Sequence, residues 1–158
     1  MADKRRNLGI PSGVVFPFAG NAAPYGYLIC DGRAVSRTEY ASLFLMIGTS
    51  HGIGDGSSTF NLPDYRGRFL RGVDGDAGLD LDKNLRSPTN GGNSGNSVGS
   101  IQEDQFKSHT HSVETRVDTH GVDPGGSYWR GVQTTQSGGT GGVETRPKNI
   151  NVNYIIKV

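Results

Sequence analysis

Two histidines separated by one residue, in Ser108-His109-Thr110-His111-Ser112, are the side chains whose type and spacing best suit chemistry. On an extended backbone the period of two puts both imidazoles on one face, roughly 6.6 to 6.8 Å apart along the strand, with Thr110 on the other. Two imidazoles do not close a metal site, and a single pair is commonly solvated or hydrogen-bonded locally. Three copies meeting on a symmetry axis would bring six nitrogens to one point, an octahedral set that suits a transition metal better than a tetrahedral four-ligand cage does. Trimerisation is therefore the question the rest of the chain has to answer.

Other chemistry finds less support. The run Asp74-Gly75-Asp76-Ala77-Gly78-Leu79-Asp80-Leu81-Asp82 looks like a calcium loop, but Leu85 stands where a bidentate Glu belongs. The glycines of His51-Gly-Ile-Gly-Asp-Gly-Ser-Ser follow a helical pattern and precede Phe60-Asn61-Leu62-Pro63, the reverse of a phosphate-binding loop. No Gly-x-Ser-x-Gly elbow occurs, and the lone Cys30 follows Leu28 and Ile29, which points to a buried structural thiol. Scattered carboxylates leave a glycan hydrolase open only to geometry.

The chain that must position these residues has 158 residues, 33% hydrophobic, with 25 Gly and a net charge of +1. The apolar share is low for a globular chain, so part of it is expected to rely on partner chains or to be irregular. Near-neutral charge gives no reason to expect nucleic acid. No run approaches a membrane span, and Met1 to Asn7 is charged without an apolar signal core, so synthesis in the cytoplasm without a signal peptide is expected.

Val14 to Ala19 reads as a strand demoted to an edge by Pro17, and Tyr25 to Cys30 as a second strand closed by Asp31-Gly32, a hairpin-like start. Ser36 with Glu39 forms a capping box, and Tyr40, Leu43, Phe44 and Ile47 make an apolar stripe ended by Gly48, so a helix is predicted over about 37–47 with that stripe in the core. Arg66 to Gly72 reads as a turn and strand whose arginines pair with carboxylates or carbonyls. Ser87 to Gly99 reads as a linker or irregular loop, Val113 to Val117 as a strand, and Tyr128-Trp129-Arg130 as an aromatic patch in a loop region. Ile150, Val152, Tyr154, Ile156 and Val158 alternate with polar residues, a strand with one buried face from which Ile155 departs. His51 and His120 lack the paired pattern.

The runs Phe18-Ala19-Gly20 to Pro24-Tyr25-Gly26-Tyr27-Leu28-Ile29-Cys30-Asp31-Gly32, Ser36-Arg37-Thr38-Glu39-Tyr40, and Gly54-Asp55-Gly56 to Phe60-Asn61-Leu62-Pro63-Asp64-Tyr65-Arg66-Gly67-Arg68-Phe69 resemble the bacteriophage tail-collar domain of tail-fibre proteins and the microcystin-dependent protein family. The Ser108-His109-Thr110-His111 motif and the ending Glu144-Thr145-Arg146-Pro147-Lys148-Asn149-Ile150 to Lys157 resemble distal parts of such fibres. The resemblance implies a parallel homotrimer whose tip meets the host surface. It also implies one iron or zinc ion per trimer, held on the axis by His109 and His111 of each chain.

The reading is an α+β, mainly β chain. A basic segment over 1–13 precedes a small collar with one short helix over 14–72 and a Gly/Asn/Ser-rich connection over 73–100. An extended, intertwined β tip over 101–158 carries the metal site and the last strand. The expected function is that of a virion structural protein of a phage tail fibre or tail tip, acting by attachment and not catalysis. Its expected partners are other tail or baseplate proteins and a host surface glycan or outer-membrane protein, the latter met by Tyr128, Trp129 and Arg130. The alternatives are a baseplate or collar component of a phage tail or contractile injection particle without a receptor, and a glycan-degrading tail enzyme.

Overall fold

The computed structural model describes residues 9–106, 108 and 146–158. The strands are β1 (Val15–Phe18), β2 (Tyr27–Ile29), β3 (Ala34–Ser36), β4 (Thr59–Asn61) and β5 (Asn153–Lys157), with helix α1 (Ala41–Ile47) between β3 and β4. Among the described residues the chain is thus mainly β with a short helix, as its patterning predicts.

β1, β5 and β2 form a three-stranded sheet in that order, β5 antiparallel to both neighbours, with Val15 and Leu28 each opposite Ile156. The expected β1–β2 hairpin does not form, because β5 lies between them. Pro17 is tolerated because β1 is an edge. Ile155, which departs from the predicted alternation, is 5% exposed beside Ile156 at 1%, so adjacent residues on opposite faces of β5 are both buried at this point. Of the residues predicted for the buried face, Tyr154, Ile156 and Val158 pack in or against the core, while Ile150 and Val152 are exposed.

β3 and β4 form a separate antiparallel pair. α1 starts at Ala41, later than predicted. The Arg37 amide donates to the Ser58 carbonyl at 2.9 Å, prolonging the β3–β4 ladder, so that residue is held out of the helix. Ser36 Oγ still accepts from the Thr38 and Glu39 amides, closing a turn that leads into α1. Gly48 ends the helix at a φ of 53°, its amide bonded to Phe44. The helical stripe packs as expected: Leu43 is fully buried with Cys30, Phe60, Leu62 and Ile156, and Tyr40, Phe44 and Ile47 pack against that cluster.

Residues 66–72 are irregular where a strand is predicted, having no neighbouring strand to pair with. Ser87 to Gly99 is an irregular loop fastened at several points: Ser87 bridges to Ile101, and the Asn93 amide donates to the Ser50 carbonyl at 2.9 Å. Contacts divide the chain into two units, Met1–Glu103 with Asn149–Val158, and Asp104–Lys148. Of the second, only residues 104–106, 108 and 146–148 are described.

Candidate functional site

The first unit contains a cavity of about 240 Å³, walled by residues 64–74 on one side and 96–102 on the other, with His51, Asp80, Arg86 and Thr89 completing it. Its position follows from local sequence. Gly67, at a φ of 67°, turns the chain after Tyr65, so Arg68 and Arg71 line the wall. The opposite loop lies against the turn after α1 only because Gly92 and Gly99 lack side chains. A Cβ on Gly92 would stand 2.5 Å from the Ser50 carbonyl oxygen, and one on Gly99 2.0 Å from the same atom.

The wall is fixed by ion pairs. Arg66 grips Asp64 through two bonds of 2.8 and 2.6 Å, and Arg68 reaches Glu103 at 3.3 Å. These meet the expectation that the arginines pair with carboxylates. The Arg66 guanidinium holds the Asp64 carboxyl below the usual carboxylate range. Asp80, 7% exposed, lies 3.5 Å from both Arg71 and Arg86. Arg86 also donates to Ser100 Oγ at 3.0 Å, to the Ser100 carbonyl at 3.2 Å and to Gln102 at 2.9 Å.

The aspartate-rich loop before Asp80 is closed from within. Asp74 accepts from the amides of Gly78, Leu79 and Asp80 at 3.1, 2.6 and 2.9 Å, and from Lys83 Nζ at 2.7 Å. Lys83 Nζ also donates to the Gly75 carbonyl at 2.7 Å, and these donors, Lys83 foremost, pull the Asp74 carboxyl well below its ordinary range. The loop at Asp55 behaves similarly. Its carboxylate accepts from the Ser58 hydroxyl and the amides of Ser57, Ser58 and Thr59, leaving no nest for a phosphate.

Two polar side chains at the cavity are less engaged. His51, 8% exposed, sets its ring edge-on to Tyr65 with centroids 6.0 Å apart, and makes no side-chain hydrogen bond among the described residues. Burial disfavours the imidazolium and lowers its pKa. Thr89 Oγ1 is buried without a hydrogen-bond partner among the described residues. An unpaired buried hydroxyl of this kind costs about 1–3 kcal/mol.

The residues singled out from sequence, His109, His111, Tyr128, Trp129 and Arg130, lie outside the described residues, as do His120 and the strand expected over Val113 to Val117. Among the described residues no group of three or more His, Cys, Asp or Glu is arranged to hold a metal ion, and no helix is long and apolar enough to cross a membrane. The cavity residues Arg71, Asp80, Arg86 and Thr89 escaped the sequence reading as a site. They come from separate irregular segments, and the local signal was the arginine and aspartate density of 64–86.

Residues 13–70 match the Phage Tail Collar Domain. Over almost the whole chain there is similarity to protein RhiB of Rhizobium leguminosarum bv. viciae, 30% identical over 190 residues that cover 94% of this chain and 87% of that protein. StfE of Escherichia coli is 27% identical over 179 residues, covering 94% of this chain and 88% of its own length.

Proposed function

The chain belongs to the phage tail-collar family, and from that premise we propose that it attaches a tail fibre or tail tip to a host surface as a metal-stabilised homotrimer. The observation that carries the assembly reading is the number of large apolar side chains left outside a thin core. Leu79, Leu81 and Leu85 are 83, 92 and 78% exposed, on a loop that Asp74 and Lys83 hold in one conformation. Fixed, exposed leucines of this kind support burial against further chains.

In this reading His109 and His111 of three chains surround one iron or zinc ion. They serve cohesion, since ligand set and assembly form together. Tyr128, Trp129 and Arg130 meet a host surface glycan or outer-membrane protein, and three weak identical contacts acting together replace single-site affinity. The protein works by binding, within the virion tail and beside other tail proteins.

Mass measurement of the native protein with elemental analysis tests this. A trimer with one iron or zinc is expected, and both metal and the melting-temperature drop on chelation should vanish in the His109→Ala, His111→Ala double variant. A metal-free monomer overturns the proposal. A trimer that docks onto tail particles yet binds neither host cells nor envelope glycans places it among baseplate or collar components, and sugar release from host polysaccharide makes it a tail enzyme.

A further inference from the structure

We infer that Asn90 is a site of spontaneous modification. It converts to aspartate and isoaspartate, and the isoaspartate form releases the 87–101 loop from the turn that follows α1. The site is separate from His109, His111 and the 128–130 patch, and it does not depend on the attachment reading.

The chemistry follows from the pair Asn90-Gly91, the one Asn-Gly in the sequence. Asparagine is a thermolabile residue, and a following glycine puts no side chain in the way of its own backbone nitrogen. That nitrogen attacks the Asn90 side-chain carbonyl. The N–Cγ bond forms, the Cγ–Nδ2 bond breaks, and ammonia leaves with the proton that Gly91 gives up, closing a five-membered succinimide. Water then opens the ring at either carbonyl. Breaking the new N–Cγ bond gives aspartate; breaking the original bond between the Gly91 nitrogen and the Asn90 carbonyl carbon gives isoaspartate.

The fold leaves both reacting groups unengaged. Asn90 and Gly91 are exposed, and neither the Asn90 carboxamide nor the Gly91 amide makes a hydrogen bond among the described residues. They are the central residues of a type I′ turn, with φ of 50° and 74°, closed by the Gly92 amide on the Thr89 carbonyl at 2.8 Å. Rotating the Asn90–Gly91 peptide toward Cγ disturbs that bond and the one from the Ile53 amide to the Asn90 carbonyl at 3.1 Å. Both lie on an exposed turn, the kind of unit that opens locally. The other two asparagines of the loop are held. Asn93 Nδ2 donates to the Val98 carbonyl at 3.0 Å, and Asn96 Nδ2 to the Gly75 carbonyl at 2.8 Å. The amide that follows Asn96, that of Ser97, is itself bonded to the Gly95 carbonyl at 2.8 Å.

The two products differ in what they do to the loop. Isoaspartate carries the main chain through its former side chain and so lengthens it by one methylene. The segment has no room for this. A Cβ on Gly92 would stand 2.5 Å from the Ser50 carbonyl oxygen, and that oxygen accepts the Asn93 amide at 2.9 Å. The Asn90 carbonyl that accepts from Ile53 also leaves the main chain, as a free carboxylate. Aspartate adds a charge at an exposed position and leaves the backbone unchanged.

Ageing the full-length protein at mildly alkaline pH, with peptide mapping by mass, tests this. Asn90 should gain one mass unit at least tenfold faster than Asn93 or Asn96, and an isoaspartyl methyltransferase should label the product. Asn90→Gly, which suits the left-handed turn, should remove both signals and keep the wild-type melting temperature. In guanidinium, conversion at Asn93 and Asn96 should rise by a larger factor than at Asn90, because unfolding frees their side chains. The isoaspartate form, once separated by chromatography, should lose hydrogen-exchange protection at the Ile53 and Asn93 amides at least tenfold, whereas Asn90→Asp should retain it. If Asn90 stays intact in the native protein while the unfolded chain converts there, the site is overturned; native conversion no faster than at Asn93 and Asn96 overturns it too. An isoaspartate form that keeps both amides protected overturns the release of the loop.

Discussion

Replacing Gly99 by Ala should detach the 87–101 loop from the turn that follows α1 (Ala41–Ile47). Gly99 has a φ of 94°, where an L side chain is strained, and its added Cβ would stand 2.0 Å from the Ser50 carbonyl oxygen and 2.8 Å from the Ser50 carbonyl carbon. The obstacle is backbone, and it cannot rotate aside. Nor can that oxygen readily move, because it accepts the Asn93 amide at 2.9 Å. Backbone strain of about 1–3 kcal/mol and an overpacking term of about 1–3 kcal/mol give an expected loss of about 2–6 kcal/mol. For a unit of this size that lowers the melting temperature by about 10 °C or more. Gly72 is the control: it has ordinary φ and nothing within 4 Å of an added Cβ, so Gly72→Ala should stay within about 0.5 kcal/mol of wild type. Circular dichroism melts give the magnitude, and hydrogen exchange of the Asn93 and Ile101 amides locates it, since these donate to Ser50 and Ser87. If Gly99→Ala melts with Gly72→Ala and keeps both amides protected, the close approach of the two segments is refuted.

Burial holds His51 below its ordinary pKa of 6.5, so the unfolded chain takes up that proton first as pH falls. The associated stability is present above about pH 6.5 and declines below it; the wild-type melting temperature should fall more steeply between pH 7 and 5 than that of His51→Gln, and equal slopes would refute this. The Cys30 thiol, 2% exposed and pushed up to about 12 chiefly by burial, should resist a thiol-labelling reagent at pH 8 and react once denaturant is added. Labelling of the native protein would show that the segment just past β2 opens.

What the sequence made legible was local. The α1 stripe, the stop at Gly48, the edge placement of Pro17 and the burial of Cys30 each depend on residues within a turn or two, and the collar resemblance lay in motifs of the first seventy residues. The place of β5 (Asn153–Lys157) was not legible. Its partners Val15–Phe18 and Tyr27–Ile29 lie at the other end of the chain, and alternation reports a buried face without naming what covers it. Ile155 looked like a defect for the same reason. The aspartates of 74–82 looked like metal ligands because composition does not show that Asp74 would turn to the loop's own amides and to Lys83. The cavity was hidden because its polar groups, from His51 to Gln102, converge only after the loops fold.

The central position of β5 bears on how the protein is made. β1 and β2 emerge early from the ribosome, but the strand that hydrogen-bonds to both is translated only when synthesis reaches Asn153–Lys157. Until then each presents an unpaired edge, and the pairing that closes the sheet spans nearly the whole chain, the slow kind of contact in folding. A message cut short anywhere before residue 153 yields a collar without its middle strand. The three-stranded sheet thereby reports that translation has run past the entire 104–148 segment, and chains that fail this condition remain exposed to proteolysis.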